Sequence, residues 1–269
     1  MGLRGVFTGI FTKVNSCRTG FSTVTTLVAA CLCFTLVGCA DGVQADSRID
    51  PKLEAQVLQI IREYPEAILD SLQQYQQAQE AKQQQARREF LTQMQTNPRQ
   101  IIGQSPPQGV AAQTIVLVEF SDFQCPYCAK VSEAIRAFMA KHGDEVTFVY
   151  KHFPLTAIHD QALPAAKAAW AAQQQGKFWE FHDALFAEQN QLGDELYHAI
   201  AQRLNLDLAR FDRDRARAGA GLQADLDLAE SLGLSGIPVL FMNGEVLTGA
   251  VAVEALEAVL ERVRKTAAR

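Results

Sequence analysis

The stretch from Thr114 to Cys128 constrains this chain more than any other. Thr114-Ile115-Val116-Leu117-Val118-Glu119-Phe120 is a short apolar, β-branched run, which predicts a buried strand. It passes through Ser121-Asp122 into Cys125-Pro126-Tyr127-Cys128. Residues 129–142 then carry helical periodicity at Val131, Ile135, Phe138 and Met139, and residues 146–150 predict the next strand. Cys125 is thereby expected at the N-terminus of a helix that follows a strand. Unpaired N–H groups and the positive end of the helix dipole favour a thiolate there, and only the thiolate is nucleophilic. Cys125 is the candidate catalytic nucleophile and Cys128 the resolving thiol, the two forming a redox disulfide.

The other four cysteines lie near the N-terminus. Arg4, Lys13 and Arg18 are the only charged residues before Asp41, and residues 21–38 are rich in Leu, Val, Ala and Phe. A positive segment followed by an apolar one predicts a removable export signal over residues 1–38. A retained anchor is the competing reading, since the apolar run approaches the ~20 residues that span a bilayer. Leu36-Val37-Gly38-Cys39 resembles the lipobox of bacterial lipoproteins, which implies that Cys39 is acylated and becomes the new N-terminus. Acyl chains at ~0.8 kcal/mol per buried CH₂ would hold the protein on a membrane. The expected location is the bacterial cell envelope, lipid-anchored at Cys39 and facing the periplasm or the cell exterior.

After cleavage, Cys125 and Cys128 are the only free thiols, with no structural disulfide framework around them, and that points to redox chemistry. A structural zinc site needs four ligands, and no second cysteine pair or closely spaced histidine pair supplies them. No metal and no cofactor are expected. The chain carries a net charge of −5, and the signal segment holds only positive residues, so the remainder is more acidic still. That excludes a nucleic-acid partner.

Organisation changes near position 105. Residues 39–51 read as a tether and residues 52–98 as a helical stalk crowded with Gln, Glu, Ala, Leu and Arg. Asp50-Pro51 opens a helix, and Tyr64-Pro65-Glu66 breaks it and starts another. Val57, Ile61, Tyr64, Ile68, Tyr75 and Ala78 are spaced close to an a/d seam, which decays beyond Ala78 into Gln83-Gln84-Gln85 and Arg87-Arg88. Such a seam serves a homo-oligomer through residues 52–78, or else the helix is a solvated spacer. Residues 99–112 read as a linker with a first short segment, Ser105-Pro106-Pro107-Gln108-Gly109 being the linker proper. The remaining domain covers residues 113–266, with a helical insertion at 156–234. Residues 239–242, Asn243-Gly244 and residues 245–248 form a hairpin with a type I′ turn signal, and residues 253–265 an amphipathic helix.

Glu119-Phe120-Ser121-Asp122-Phe123-Gln124-Cys125-Pro126-Tyr127-Cys128 resembles the active-site segment of DsbA-type thioredoxin-fold proteins. Lys151-His152-Phe153-Pro154-Leu155, Gly176-Lys177-Phe178-Trp179-Glu180-Phe181-His182 and Ser235-Gly236-Ile237-Pro238-Val239-Leu240-Phe241 carry the likeness on, across residues 100–266. It implies an α/β thioredoxin fold with an inserted helical subdomain, here preceded by the stalk. It also implies a cis Ile237-Pro238 bond opposite the cysteines, forming the substrate contact, and a thiol–disulfide oxidoreductase activity. Phe178, Trp179, Phe181 and His182 read as core of the insertion.

The same resemblance places Glu119 as a buried acid beneath the cysteines, where a carboxyl of raised pKa relays a proton to or from Cys128. Lys151 is a candidate charge partner for it, and His152 reads as structural. The stretch Tyr64-Pro65-Glu66-Ala67-Ile68-Leu69-Asp70-Ser71-Leu72 is similar to the N-terminal region of ScsC-like proteins, which implies oligomerisation and disulfide isomerase activity linked to copper stress. Expected partners are exported proteins bearing thiols or disulfides and a redox protein that recharges the cysteine pair. Oxidase, isomerase and reductase directions all remain open. The alternatives are a copper- or metal-binding lipoprotein and a structural envelope lipoprotein.

Overall fold

The structure is a computed structural model describing residues 50–112 and 114–267. The export signal, Cys39 and nearly all of the tether lie outside the described residues. The chain divides into two compact units, residues 1–64 and 65–269.

In the first unit the described element is helix α1, Pro51–Glu63. The Asp50 carboxylate accepts a hydrogen bond from the Lys52 N–H at 2.8 Å, and Pro51 occupies the first turn, where its missing N–H costs nothing. The helix ends at Tyr64, ahead of Pro65, because proline disfavours the helical conformation of the residue before it. Val57, Ile60 and Ile61 are exposed.

The second unit begins with α2, Pro65–Thr96, followed by the short α3, Arg99–Ile102. A five-stranded sheet follows in the order β1-β3-β2-β4-β5. Its strands are β1 (Pro107–Gly109), β2 (Ile115–Ser121), β3 (Val146–His152), β4 (Val239–Met242) and β5 (Glu245–Thr248). β2 and β3 are parallel and joined through α4, Pro126–His142; every other pair is antiparallel. Residues 105–109, expected as a linker, thus supply the edge strand, with Gln108 opposite Phe148. The β4–β5 hairpin turns at Asn243 and Gly244, both at positive φ as a type I′ turn requires. Helix α9, Val253–Ala267, follows the hairpin.

Side chains alternate across β2, so its two faces serve two cores. Leu117 packs with Val131, Ile135 and Phe138 of α4 and Leu256 and Leu260 of α9. Val116, Val118 and Phe120 face the other way, against Ile101, Ile102, Phe241 and two residues of α2, Phe90 and Met94. The seam expected to fade after Ala78 therefore resumes as a docking stripe, and the last turns of the stalk belong to the domain core. A reading of apolar period alone misses this, because the polar residues 83–88 interrupt the pattern.

The insertion holds α5 (Ala162–Gln173), α6 (Phe178–Ala187), α7 (Asp194–Arg203) and α8 (Leu208–Ser231). Phe178, Phe181, Leu185, Tyr197, Ile200 and Phe211 form its core with the alanines of α5, and Phe123 and Tyr150 extend that core to the sheet. As expected, Phe178, Phe181 and His182 are buried.

Candidate active site

Cys125 caps the N-terminus of α4 in extended conformation (φ −73°, ψ 122°), with Pro126 opening the helix. The turn before it is built by Asp122, a buried residue the sequence reading passed over. Its carboxylate accepts hydrogen bonds from the N–H of Gln124 (2.8 Å) and Leu155 (3.0 Å) and from His159 Nδ1 (2.8 Å). Its carbonyl accepts from the Cys125 N–H at 3.1 Å. An Asp bonding the backbone two residues on is an Asx-turn, a local signal the sequence did carry. Gln189 gave no such signal. Lying between α6 and α7, it donates Nε2 to the carbonyls of Phe123 (2.8 Å) and Cys125 (3.0 Å), so the insertion clamps the active-site turn from 64 residues away.

Both cysteines are buried free thiols. A hydrogen bond from the Cys128 thiol, helped by the N–H groups of Cys128 and Tyr127, brings the Cys125 thiol down to about 6 against the opposing effects of burial and Asp122. Burial first, then the bond to Cys125 and the charge of Glu119, push Cys128 far up. One thiol is ionised and the other keeps its proton.

Glu119 lies on the face of β2 shared with Leu117 and Ser121, the face that α4 covers. It is fully buried and pushed up to about 8, chiefly by desolvation; the Ser121 hydroxyl nearby offsets part of the rise, and the Cys125 charge adds to it. Neither Glu119 oxygen has a hydrogen-bond partner of ordinary geometry among the described residues. Ser121 Oγ, the Tyr150 hydroxyl and both ring nitrogens of His152 are equally unpartnered. These groups share one face, since Glu119 stands opposite Tyr150 and Ser121 opposite His152 in the parallel pairing. Burial holds His152 at about 4, so its ring is neutral.

Lys151 is not the partner of Glu119. It points to the opposite face, where Nζ meets Asp225 Oδ1 at 3.1 Å and donates to the Ile102 carbonyl at 3.1 Å. Strand alternation decides this, because neighbouring register positions 150 and 151 face opposite ways.

Ile237-Pro238 is a cis peptide bond immediately before β4. The antiparallel register sets Phe120 against Val239, so the loop leaving β2 toward Cys125 and the loop entering β4 through Pro238 meet at one end of the sheet. Among the described residues no group of three or more His, Cys, Asp or Glu side chains is placed to hold a metal ion.

A thioredoxin sheet with a helical insertion after its second parallel strand, and a Cys-x-x-Cys helix at the end of the sheet where the cis-proline loop enters, is the architecture of DsbA-type proteins. The chain belongs to the thioredoxin family, whose sequence model matches residues 103–262. A thioredoxin-like oxidoreductase from Silicibacter pomeroyi DSS-3 is similar at 28% identity and TM-score 0.56, over 61% of this chain and 94% of that one. Proteus mirabilis ScsC in a transitional conformation shares the fold at 21% identity and TM-score 0.56, over 80% of this chain and 98% of that one. So does the thiol-disulfide exchange protein alpha-DsbA2 from Wolbachia pipientis, at 19% identity and TM-score 0.55, over 67% and 98%.

Among curated proteins, the Na(+)/H(+) antiporter NhaA 3 of Salinispora tropica is 42% identical over 146 residues, 54% of this chain and 22% of the antiporter. The NhaA antiporter of Herminiimonas arsenicoxydans is 34% identical over 153 residues, 56% and 24%. The chain thus spans about a quarter of the length of these curated relatives. No helix among its described residues is long and apolar enough to cross a membrane.

Proposed function

We propose that this protein is a thiol–disulfide oxidoreductase of exported proteins, working through Cys125 and Cys128. The observation that carries the reading is the opposed ionisation of the two thiols at the N-terminus of α4. The Cys125 thiolate attacks a substrate disulfide, forming a Cys125–substrate disulfide and releasing the other substrate sulfur as thiolate. Cys128 then loses its proton and attacks Cys125 Sγ. The Cys125–Cys128 disulfide forms, the substrate leaves as a dithiol, and two electrons have passed to it. In the oxidising direction the same steps run backward.

Glu119 is the proton relay for Cys128. While Cys125 is a thiolate, its charge helps keep the Glu119 carboxyl protonated. Forming the mixed disulfide consumes that charge. The carboxyl then ionises more readily and takes the Cys128 proton at the step that needs it. The Ile237-Pro238 loop is the substrate contact beside the sulfurs. A separate redox protein recharges the pair, and export with a lipid anchor at Cys39 places the domain in the cell envelope.

The exposed apolar residues Ile68, Leu72 and Tyr75, at helical spacing on α2, support a homo-oligomer, which favours shuffling of a captured substrate and hence an isomerase. Trapping tests the core of the reading. Cys128→Ala is expected to accumulate mixed disulfides with substrates, and Cys125→Ser to lose exchange; a Cys125→Ser protein with full turnover would sink it.

A further inference from the structure

The cis-proline loop borders a groove of about 340 Å³ lined by Gly236, Ile237, Pro238, Val239 and Thr248. One charged side chain lines it, and it comes from outside the thioredoxin sheet: Arg87 of α2. Its placement follows from the docking stripe. Phe90 and Met94 bury against the sheet, so Gln83 and Arg87, two turns and one turn earlier, lie over the loop that precedes β4. Gln83 touches it directly, since a Cβ on Gly233 would come within 2.9 Å of Gln83 Oε1. Arg87 itself is exposed, and no carboxylate among the described residues pairs with it. The groove therefore offers one exposed cation beside the cis-proline loop.

We propose that Arg87 is a selectivity residue that takes a carboxylate of the substrate polypeptide, an Asp or Glu side chain close to the reacting cysteine. This rests on the thiol-exchange reading above and adds to it the substrate's chemical character. An extended substrate segment lying along residues 236–239 would run past the guanidinium, whose planar fork accepts a carboxylate through two parallel N–H···O bonds. Because the site is exposed, the pair is worth little in isolation, and its effect is a preference of about fivefold at low salt.

The experiment uses the full chain, reduced, and two blocked peptides closed by one internal disulfide. The peptides are identical except for two Glu or two Lys residues beside a cysteine, and their second-order reduction rates are measured at low and high salt. Arg87→Gln is expected to lower the ratio of the Glu rate to the Lys rate about fivefold at low salt, with the difference shrinking as salt screens it. Arg88→Gln removes the same net charge one residue away, outside the groove lining, and is expected to leave the ratio as it is. The reduction potential of the cysteine pair should be the same in all three proteins. An unchanged ratio in Arg87→Gln, or an equal fall in Arg88→Gln, overturns the proposal. A chain that reduces neither peptide overturns the exchange reading beneath it, a distinct result.

Discussion

Phe90 of α2 packs edge-on against Phe241 of β4, ring centroids 5.0 Å apart with planes at 77°. Phe241 meets Phe120 of β2 in the same manner at 6.0 Å. This aromatic file runs from the stalk helix to the strand that leads into the cysteines. The helical stalk read over residues 52–98 is in its last turns a layer of the domain.

Truncation should expose that boundary. Removing residues 41–80 leaves the stripe from Gln83 to Met94 and is expected to give a folded domain. Removing residues 41–98 strips Phe90 and Met94 from the core and should unfold it or lower its midpoint sharply. Phe90→Ala alone is expected to cost ~3–5 kcal/mol in denaturant titration. Equal stability for the two truncations would mean that the contact carries no energy.

The thiolate at Cys125 sets a pH profile. With the thiol near 6, about a tenth is ionised at pH 5 and about nine-tenths at pH 7. Alkylation of Cys125 should therefore rise about tenfold between those values and flatten above pH 8. A profile still climbing through pH 9 would show an ordinary thiol.

Glu119→Gln should separate the two halves of exchange. The substitution keeps the shape and removes the proton acceptor, so attack by Cys125 should proceed at nearly the wild-type rate. Resolution of the mixed disulfide by Cys128 should slow ~10²-fold or more at neutral pH. Stopped-flow measurement of both steps checks this, and equal slowing of both would assign Glu119 a structural part only.

His152 predicts acid sensitivity. Its folded value of about 4 lies below the usual 6.5, so the unfolded chain takes a proton that the buried ring refuses. Stability is unaffected above pH 7, falls as pH drops through 6.5, and has lost ~3 kcal/mol by pH 4. His152→Phe, in a site walled by Phe123, Tyr150 and Phe178, should flatten that fall in urea titrations at pH 7 and pH 4.

The exposed stripe on α2 predicts self-association. Light scattering of the unlipidated protein should report an oligomer, and Ile68→Glu with Leu72→Glu should convert it to a monomer whose cysteines still exchange. A wild-type monomer would leave the helix as a spacer.

The strand from Ile115, the helix opened by Pro126, the Asn243-Gly244 hairpin and the place of Cys125 at a helix N-terminus were legible in the sequence. Each follows from short-range periodicity, turn chemistry or a helix terminus, all written within a few residues. The face that Glu119 occupies beneath α4, the pairing of Lys151 with Asp225, the clamp of Gln189 on the Cys125 turn and the docking of Phe90 were decided by tertiary structure alone. The last three of these contacts join residues 64 to 151 positions apart, and nothing local distinguishes such partners from any other polar or aromatic residue. Burial then completes the chemistry. Desolvation raises Glu119 and Cys128 and silences His152, and that depends on which side chains surround them in the folded chain.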